Sequence, residues 1–282
     1  MMEFNGLLLL SSFAGGIFGA LIGANAAFIF TGIMTLVGTA ILVGNGDASF
    51  LESVALGPIF GPHISFVGAV AAVAFGNKVG ERSNSQTIAA NDLFSSLNQV
   101  KRVDVLLVGG GFGVLGCLLN TVFIQLAIPI DTIALTVYVC GLLCRIFILR
   151  KSILVNLDKL KDGFFSKGSL VYSVLCYSSI GFLFSYVIDI WKIANLGWAI
   201  SAVSLLFLYL KVKDFPVTHH ITLVAGYCVV ASGNILLAAL AGCLAGILGD
   251  ALNAVTNKEE YSHLDMPAGI IALGSFIIFS FF

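Results

Sequence analysis

Apolar residues run along this chain in stretches too long for a soluble core element, broken only by short polar segments. The stretch from Gly6 to Gly44 contains no charged residue. A helix needs about 20 residues to cross the hydrocarbon core, so this stretch predicts two spans with a tight turn near Asn25. The stretch from His219 to Asn257 divides in the same way at Gly233-Asn234. Breaking the remainder at charged or proline-containing positions predicts about ten spans, over 6–24, 26–44, 56–76, 104–126, 130–149, 168–188, 193–211, 217–233, 235–255 and 266–282.

Three blocks occur twice in the same order. Pro62-His-Ile-Ser-Phe-Val with Phe75-Gly-Asn77, then Gly113-Val-Leu-Gly-Cys-Leu-Leu-Asn120, then Pro129-Ile-Asp-Thr-Ile-Ala-Leu135 form the first set. His219-His-Ile-Thr-Leu-Val with Ser232-Gly-Asn234, Gly246-Ile-Leu-Gly-Asp-Ala-Leu-Asn253 and Pro267-Ala-Gly-Ile-Ile-Ala-Leu273 form the second. Ten spans in two matched halves leave five in each. An odd number makes the second half enter the membrane the other way round, as in the inverted repeats of secondary transporters. The expected fold is therefore all-α, a polytopic membrane protein of two inverted five-helix repeats. Its parts are residues 1–150 with a loop at 77–103, a linker at 151–167, and residues 168–282.

Composition agrees: 59% hydrophobic and 10% charged residues, with a mean hydropathy of +1.03, exclude an ordinary soluble domain. Residues 1–6 lack the basic region of a cleavable signal peptide, so the first span is expected to stay. Basic residues gather in cytoplasmic loops of membrane proteins. Here Lys78, Arg82, Lys101, Arg102, Arg150, Lys151, Lys159, Lys161, Lys167, Lys211, Lys213 and Lys258 fall on one side of the predicted topology and Lys192 on the other. Both termini are thus expected to be extracytoplasmic, in a cell (inner or plasma) membrane. Arg145 is expected near the inner end of the fifth span, its stem reaching toward the headgroups.

Ile88, Leu93, Phe94, Leu97 and Val100 lie at roughly helical spacing and predict a surface helix. The linker, with Ile153, Leu154, Leu157, Leu160, Phe164 and Phe165 among basic residues, predicts an interfacial helix. All six cysteines fall inside spans with no metal-ligand spacing, and read as packing residues. No cofactor motif and no basic patch for nucleic acid is present.

Polar groups held at membrane depth are costly and mark candidate sites. His63 and His220 occupy equivalent places in the two repeats, followed by Ser65 and Thr222, and imidazole titrates near neutrality. Helix bracing is the plainer role for the pair. Gly57-Pro-Ile-Phe-Gly61-Pro62-His63 cannot form a regular helix, and irregular backbone survives in a bilayer only when buried or lining a cavity. It is read as part of a permeation path or as an external loop. Asp250 replaces Cys117 of the other repeat and is a candidate proton or sodium site. Asn120 and Asn253 follow Gly-x-x-Gly steps that allow close helix approach. Asn77 and Asn234 are expected to end helices in left-handed geometry, and Asp265 to cap the last span.

Ala55-Leu-Gly-Pro-Ile-Phe-Gly-Pro-His-Ile-Ser-Phe and His263-Leu-Asp-Met-Pro-Ala resemble stretches of bacterial membrane proteins labelled as permeases. That resemblance implies transport but brings no substrate or site residues. The expectation is a secondary transporter for a small neutral or singly charged solute, with a proton or sodium ion as possible coupling partner, no metal or cofactor, and a homo-oligomer left open. A passive channel lined by His63 and His220 is the alternative. An intramembrane enzyme lacks a nucleophile or metal set.

Overall fold

The computed structural model describes residues 6–82, 88–156, 158 and 167–282, and among these there is no strand. The helices are α1 (Gly6–Ile22), α2 (Ala24–Asn45), α3 (Ser65–Arg82), α4 (Val103–Gln125), α5 (Thr132–Leu143), α6 (Lys167–Trp191), α7 (Asn195–Ser204), α8 (His219–Ser232), α9 (Ile235–Thr256) and α10 (Met266–Phe281). Short π-helical turns occupy Leu51–Ala55 and Cys144–Leu149, the second continuing α5, and Leu206–Tyr209 continues α7. Among the described residues, five helices are long and apolar enough to cross a membrane.

Each helix packs against others through its small residues. α1 lies against α3 and α4, which also touch each other, and α6 lies against α8 and α9, which do the same. Gly16 meets the backbones of Gly109 and Gly113, while Gly181 meets Ala239. Without side chains in the way, helix backbones approach closely and gain dispersion contacts that lipid cannot supply. α2 packs on α7 and α5 on α10. The largest cluster of buried apolar residues joins all of these, from Phe28 through Val137 and Trp198 to Ile271.

One end of the bundle collects the basic connections. There Asn25 N donates to Leu93 O at 2.7 Å, Val155 N to Val255 O at 2.8 Å, and Lys78 Nζ to Ile148 O. We refer to it as the basic end. The turn between α1 and α2 is a single residue, Gly23, at φ 95°. That value is strained for any side chain.

Several expectations are corrected. Residues 88–96 are irregular rather than a surface helix, with only a short 3₁₀ turn at Leu97–Gln99. Apart from the exposed Phe94, the apolar positions there fold inward: Leu97 is buried among Ala20, Val73 and Val105, with Ile88 and Val100 packed against them. The six residues 151–156 are not the expected interfacial helix either, since they are non-helical. Leu157, Leu160, Phe164 and Phe165 lie outside the described residues. Asn77 ends nothing, because α3 runs on to Arg82 and the Asn77 side chain donates to Ile88 O at 2.9 Å. Gly233, not Asn234, takes the left-handed conformation, and Asn234 instead caps α9 by accepting from Leu237 N at 3.0 Å.

Arg145 departs furthest from expectation. Its side chain is 0% exposed and does not reach outward. Nη1 donates to Ile153 O at 3.1 Å and to Thr256 O, and Nη2 to Asn257 Oδ1 at 3.0 Å and to Ser262 O. The reason is the end of α9, whose last carbonyls have no intrahelical donor. A guanidinium supplies several donors in a fixed fork.

Candidate functional site

The segment between the Leu51–Ala55 turn and α3 opens the site. Residues 56–64 form no regular helix, and Gly57, Pro58 and Gly61 through Ile64 are buried. Neighbouring hydroxyls satisfy the carbonyls this frees: Ser12 Oγ donates to Pro58 O at 2.9 Å, and Thr31 and Ser65 donate to Phe60 O at 2.6 and 3.0 Å. The third span therefore begins as helix at Ser65 rather than at residue 56. In the second half, the connection before α8 is mostly exposed instead.

His63 and His220 are both buried, and Nδ1 of each lacks a partner among the described residues. Each leans on a glycine of the following long helix, the His63 carbonyl on Gly116 and the His220 ring on Gly249. The two glycines are equivalent in the repeated blocks. A Cβ on Gly249 would fall 2.7 Å from His220 Nε2. Gly249→Ala is thus expected to displace the imidazole and destabilise the fold by about 1–3 kcal/mol, read as a lowered thermal unfolding midpoint in detergent. An unchanged midpoint would mean the ring moves freely.

Three cavities run through the protein. The first, of about 540 Å³, is lined at the basic end by Asn25, Phe94, Tyr177, Asp214, His219, His220, Gly249, Asp250, Asn253, His263 and Asp265 among others. A second, of about 390 Å³, is lined by Glu52, Gly57, Pro58, His63, Cys117, Asn120, Gln125 and Thr132 among others. These two share no lining residue. A third cavity of about 90 Å³ lies between them, sharing Phe28, His219 and Asp265 with the first and Leu56, Ile133 and Asn195 with the second.

The repeat-related candidates divide between the two larger cavities. His63 and Asn120 face one, and His220, Asp250 and Asn253 face the other. Asp250 is exposed within its cavity and accepts a hydrogen bond from Tyr177 Oη. Asn253 Oδ1 accepts from Asn257 Nδ2 at 2.7 Å, while Asn120 Oδ1 has no partner among the described residues. Pro62 lines the small cavity. Ser65 and Thr222 do not line the cavities; they bond to the backbone carbonyls of Phe60 and His219. Gly61 is a structural turn whose carbonyl accepts from Ile64 N and Ser65 N at 2.8 and 3.0 Å.

Sequence reasoning named Pro62 of the small cavity but missed Asp131, His219 and Tyr227 as site residues. Asp131 caps α5, its Oδ1 accepting from Ala134 N at 2.9 Å and its Oδ2 from Tyr227 Oη at 2.7 Å. Its own N–H donates to Ser275 Oγ at 2.8 Å. Asp265 caps α10 as expected, with Oδ1 accepting from Ala268 N at 3.1 Å. That expectation did not extend to its facing a cavity. His219, Leu223 and Tyr227 line the cavity on successive turns of α8, so it extends about 12 Å along that helix. Asp265 and His219 stand at one end, Asp131 and Tyr227 at the other.

A family model described as a family of unknown function (DUF7973) matches residues 1–156 and 173–280. The chain belongs to this family. No curated protein and no solved structure matches it. For this DUF7973 member the arrangement itself must supply the chemistry. Among the described residues no group of three or more His, Cys, Asp or Glu is placed to hold a metal ion, and the six cysteines are free thiols.

Proposed function

We propose that this protein is a membrane transporter that carries a small solute by alternating access between two inverted five-span halves. The observation that carries the reading is the row of three cavities, two wide and mutually separate, with a narrow one of about 90 Å³ between them. A row of this kind suits a solute that waits in one vestibule, passes a constriction and leaves by the other.

The packing supports two halves. α1 meets α3 and α4 as α6 meets α8 and α9, α2 meets α3 as α7 meets α8, and α4 meets α5 as α9 meets α10. The close helix-on-helix packing between halves pairs equivalent helices, α2 with α7 and α5 with α10. The basic end is cytoplasmic on this reading, in a cell membrane, with both chain ends on the other side.

Side-specific labelling tests it. In a cysteine-free background, Asn120→Cys is expected to react with a membrane-impermeant maleimide from the extracytoplasmic side only, and Asn253→Cys from the cytoplasmic side only. Addition of a transported solute should change the two rates in opposite directions. Reaction of both from one side would sink the topology. Opposite sidedness with rates that ignore solute, and no counterflow in preloaded proteoliposomes, would make the protein a passive channel.

A further inference from the structure

The side chains lining the three cavities carry charge of one sign. Glu52, Asp131, Asp214, Asp250 and Asp265 contribute carboxyl groups, and among the described residues no lysine or arginine lines any of the three. This is notable in a chain whose Lys and Arg total 14 against 15 acidic residues. The basic residues lie elsewhere, and a path walled by carboxylates concentrates cations and repels anions.

Asp131 and Asp265 hold the two ends of the narrow cavity. Each sits at a helix N-terminus, where about half a positive charge is available to it. Two carboxylates against two such termini leave about one negative charge over, which a single monovalent cation would balance. Asp131 is filled on both oxygens by Ala134 N and Tyr227 Oη, donors that suit its ionised form. Asp265 uses only Oδ1, and its second oxygen makes no hydrogen bond within the described residues.

A second, independent feature sits beside it. His219 is 6% exposed, lines the cavity, and its Nδ1 has no partner among the described residues. An unprotonated ring nitrogen is an acceptor waiting for an N–H donor. Apart from Asn195, the rest of the lining is apolar or aromatic, Phe28, Trp198, Leu223 and Ile271 among it. A hard metal cation needs a shell of oxygens that these walls do not offer. A nitrogen cation instead gains from ring faces. The volume of about 90 Å³ admits about three waters, or one solute of about four heavy atoms.

We infer that the solute is a small monovalent nitrogen cation of the ammonium or guanidinium class, held in turn by Asp131 at one end of the narrow cavity and by Asp265 and His219 at the other. The inference rests on the transport reading above.

Guanidinium and urea make the test, since they share size and shape and differ in charge. Full-length protein in liposomes is expected to pass guanidinium at least tenfold faster than urea. Asp131→Asn and Asp265→Asn should each reduce guanidinium flux at least tenfold and bring the ratio of guanidinium to urea flux toward one. Asparagine caps helices as well as aspartate does, so both variants keep the cap while losing the charge, and at 131 the new amide N–H can donate to Tyr227 Oη, a hydroxyl that also accepts. Equal flux of the two solutes, indifferent to both substitutions, overturns the cation assignment and leaves a passage standing. Saturable guanidinium binding to detergent-solubilised protein, seen as a raised unfolding midpoint and lost in Asp265→Asn, but with no flux above protein-free liposomes, keeps the cation site and overturns transport. Neither binding nor flux overturns both, and sodium or potassium binding in place of guanidinium overturns the nitrogen-cation class.

Discussion

Replacing Phe28 by alanine is expected to raise solute flux through the protein about tenfold, equivalent to about 1.4 kcal/mol of barrier. Phe28 belongs to both the narrow cavity and the vestibule at the basic end. Its ring is wedged edge-on between Phe66 at 5.6 Å, Trp198 at 5.1 Å and His219 at 4.8 Å. The ring therefore fills the space between the two cavities rather than merely bordering it, and deleting it would merge them. The sign of the effect separates this role from a packing role, since a damaged core lowers activity. Phe→Ala in a core costs about 3–5 kcal/mol, so the fraction surviving gel filtration sets the protein count for each assay. Phe28→Leu retains most of the bulk and should behave as the unsubstituted protein. Folded Phe28→Ala with unchanged or lower flux would place the barrier elsewhere.

Arg145→Met is expected to destabilise the protein by about 3–5 kcal/mol, since it removes a buried charged donor whose hydrogen bonds contribute about 1.5–3 kcal/mol each. The guanidinium bonds to Ile153 O, Thr256 O, Asn257 Oδ1 and Ser262 O, and methionine would leave these acceptors buried without donors, each at about 1–3 kcal/mol. Tyr261 stacks on the guanidinium at 5.5 Å and would lose that contact as well. Arg145→Lys should rescue little, because one ammonium cannot reach acceptors spread over three chain segments. Thermal unfolding followed by gel filtration in detergent checks both. A Met variant as stable as the parent would show that water reaches these carbonyls.

Much of the helical framework was legible because a bilayer forces backbone groups to pair within each span. The equivalence of His63 with His220 and of Gly116 with Gly249 was legible too, because both pairs lie inside repeated blocks. Asp131 was not, for a definite reason. In the aligned blocks its partner is Gly269, whereas the residue matching its capping role is Asp265, four positions earlier, so the repeat hides the pairing. The N-cap argument applied to Asp265 would have found Asp131 had it been extended to Asp131-Thr-Ile-Ala134. Tyr227 sits in an apolar span opposite Val70 of the first half and gave no signal. Arg145 misled because a long basic side chain near a span end usually reaches for water, and nothing local reveals that the end of α9 needs donors. The helical spacing of Ile88 to Val100 misled likewise, since inward packing of an irregular segment can place apolar residues at the same intervals.

The contrast between the buried segment 56–64 and the exposed 211–217 also has a practical side. Lys211, Val212, Lys213 and Asp214 are exposed, while Asp214, Pro216 and Val217 form part of the rim of the larger vestibule. A fluorophore or peptide epitope grafted at 212–213 would disturb no buried backbone and would sit beside that mouth, where it could report on occupancy optically. Its counterpart in the first half offers no such handle, because that backbone is buried and Ser12, Thr31 and Ser65 hold its carbonyls in place.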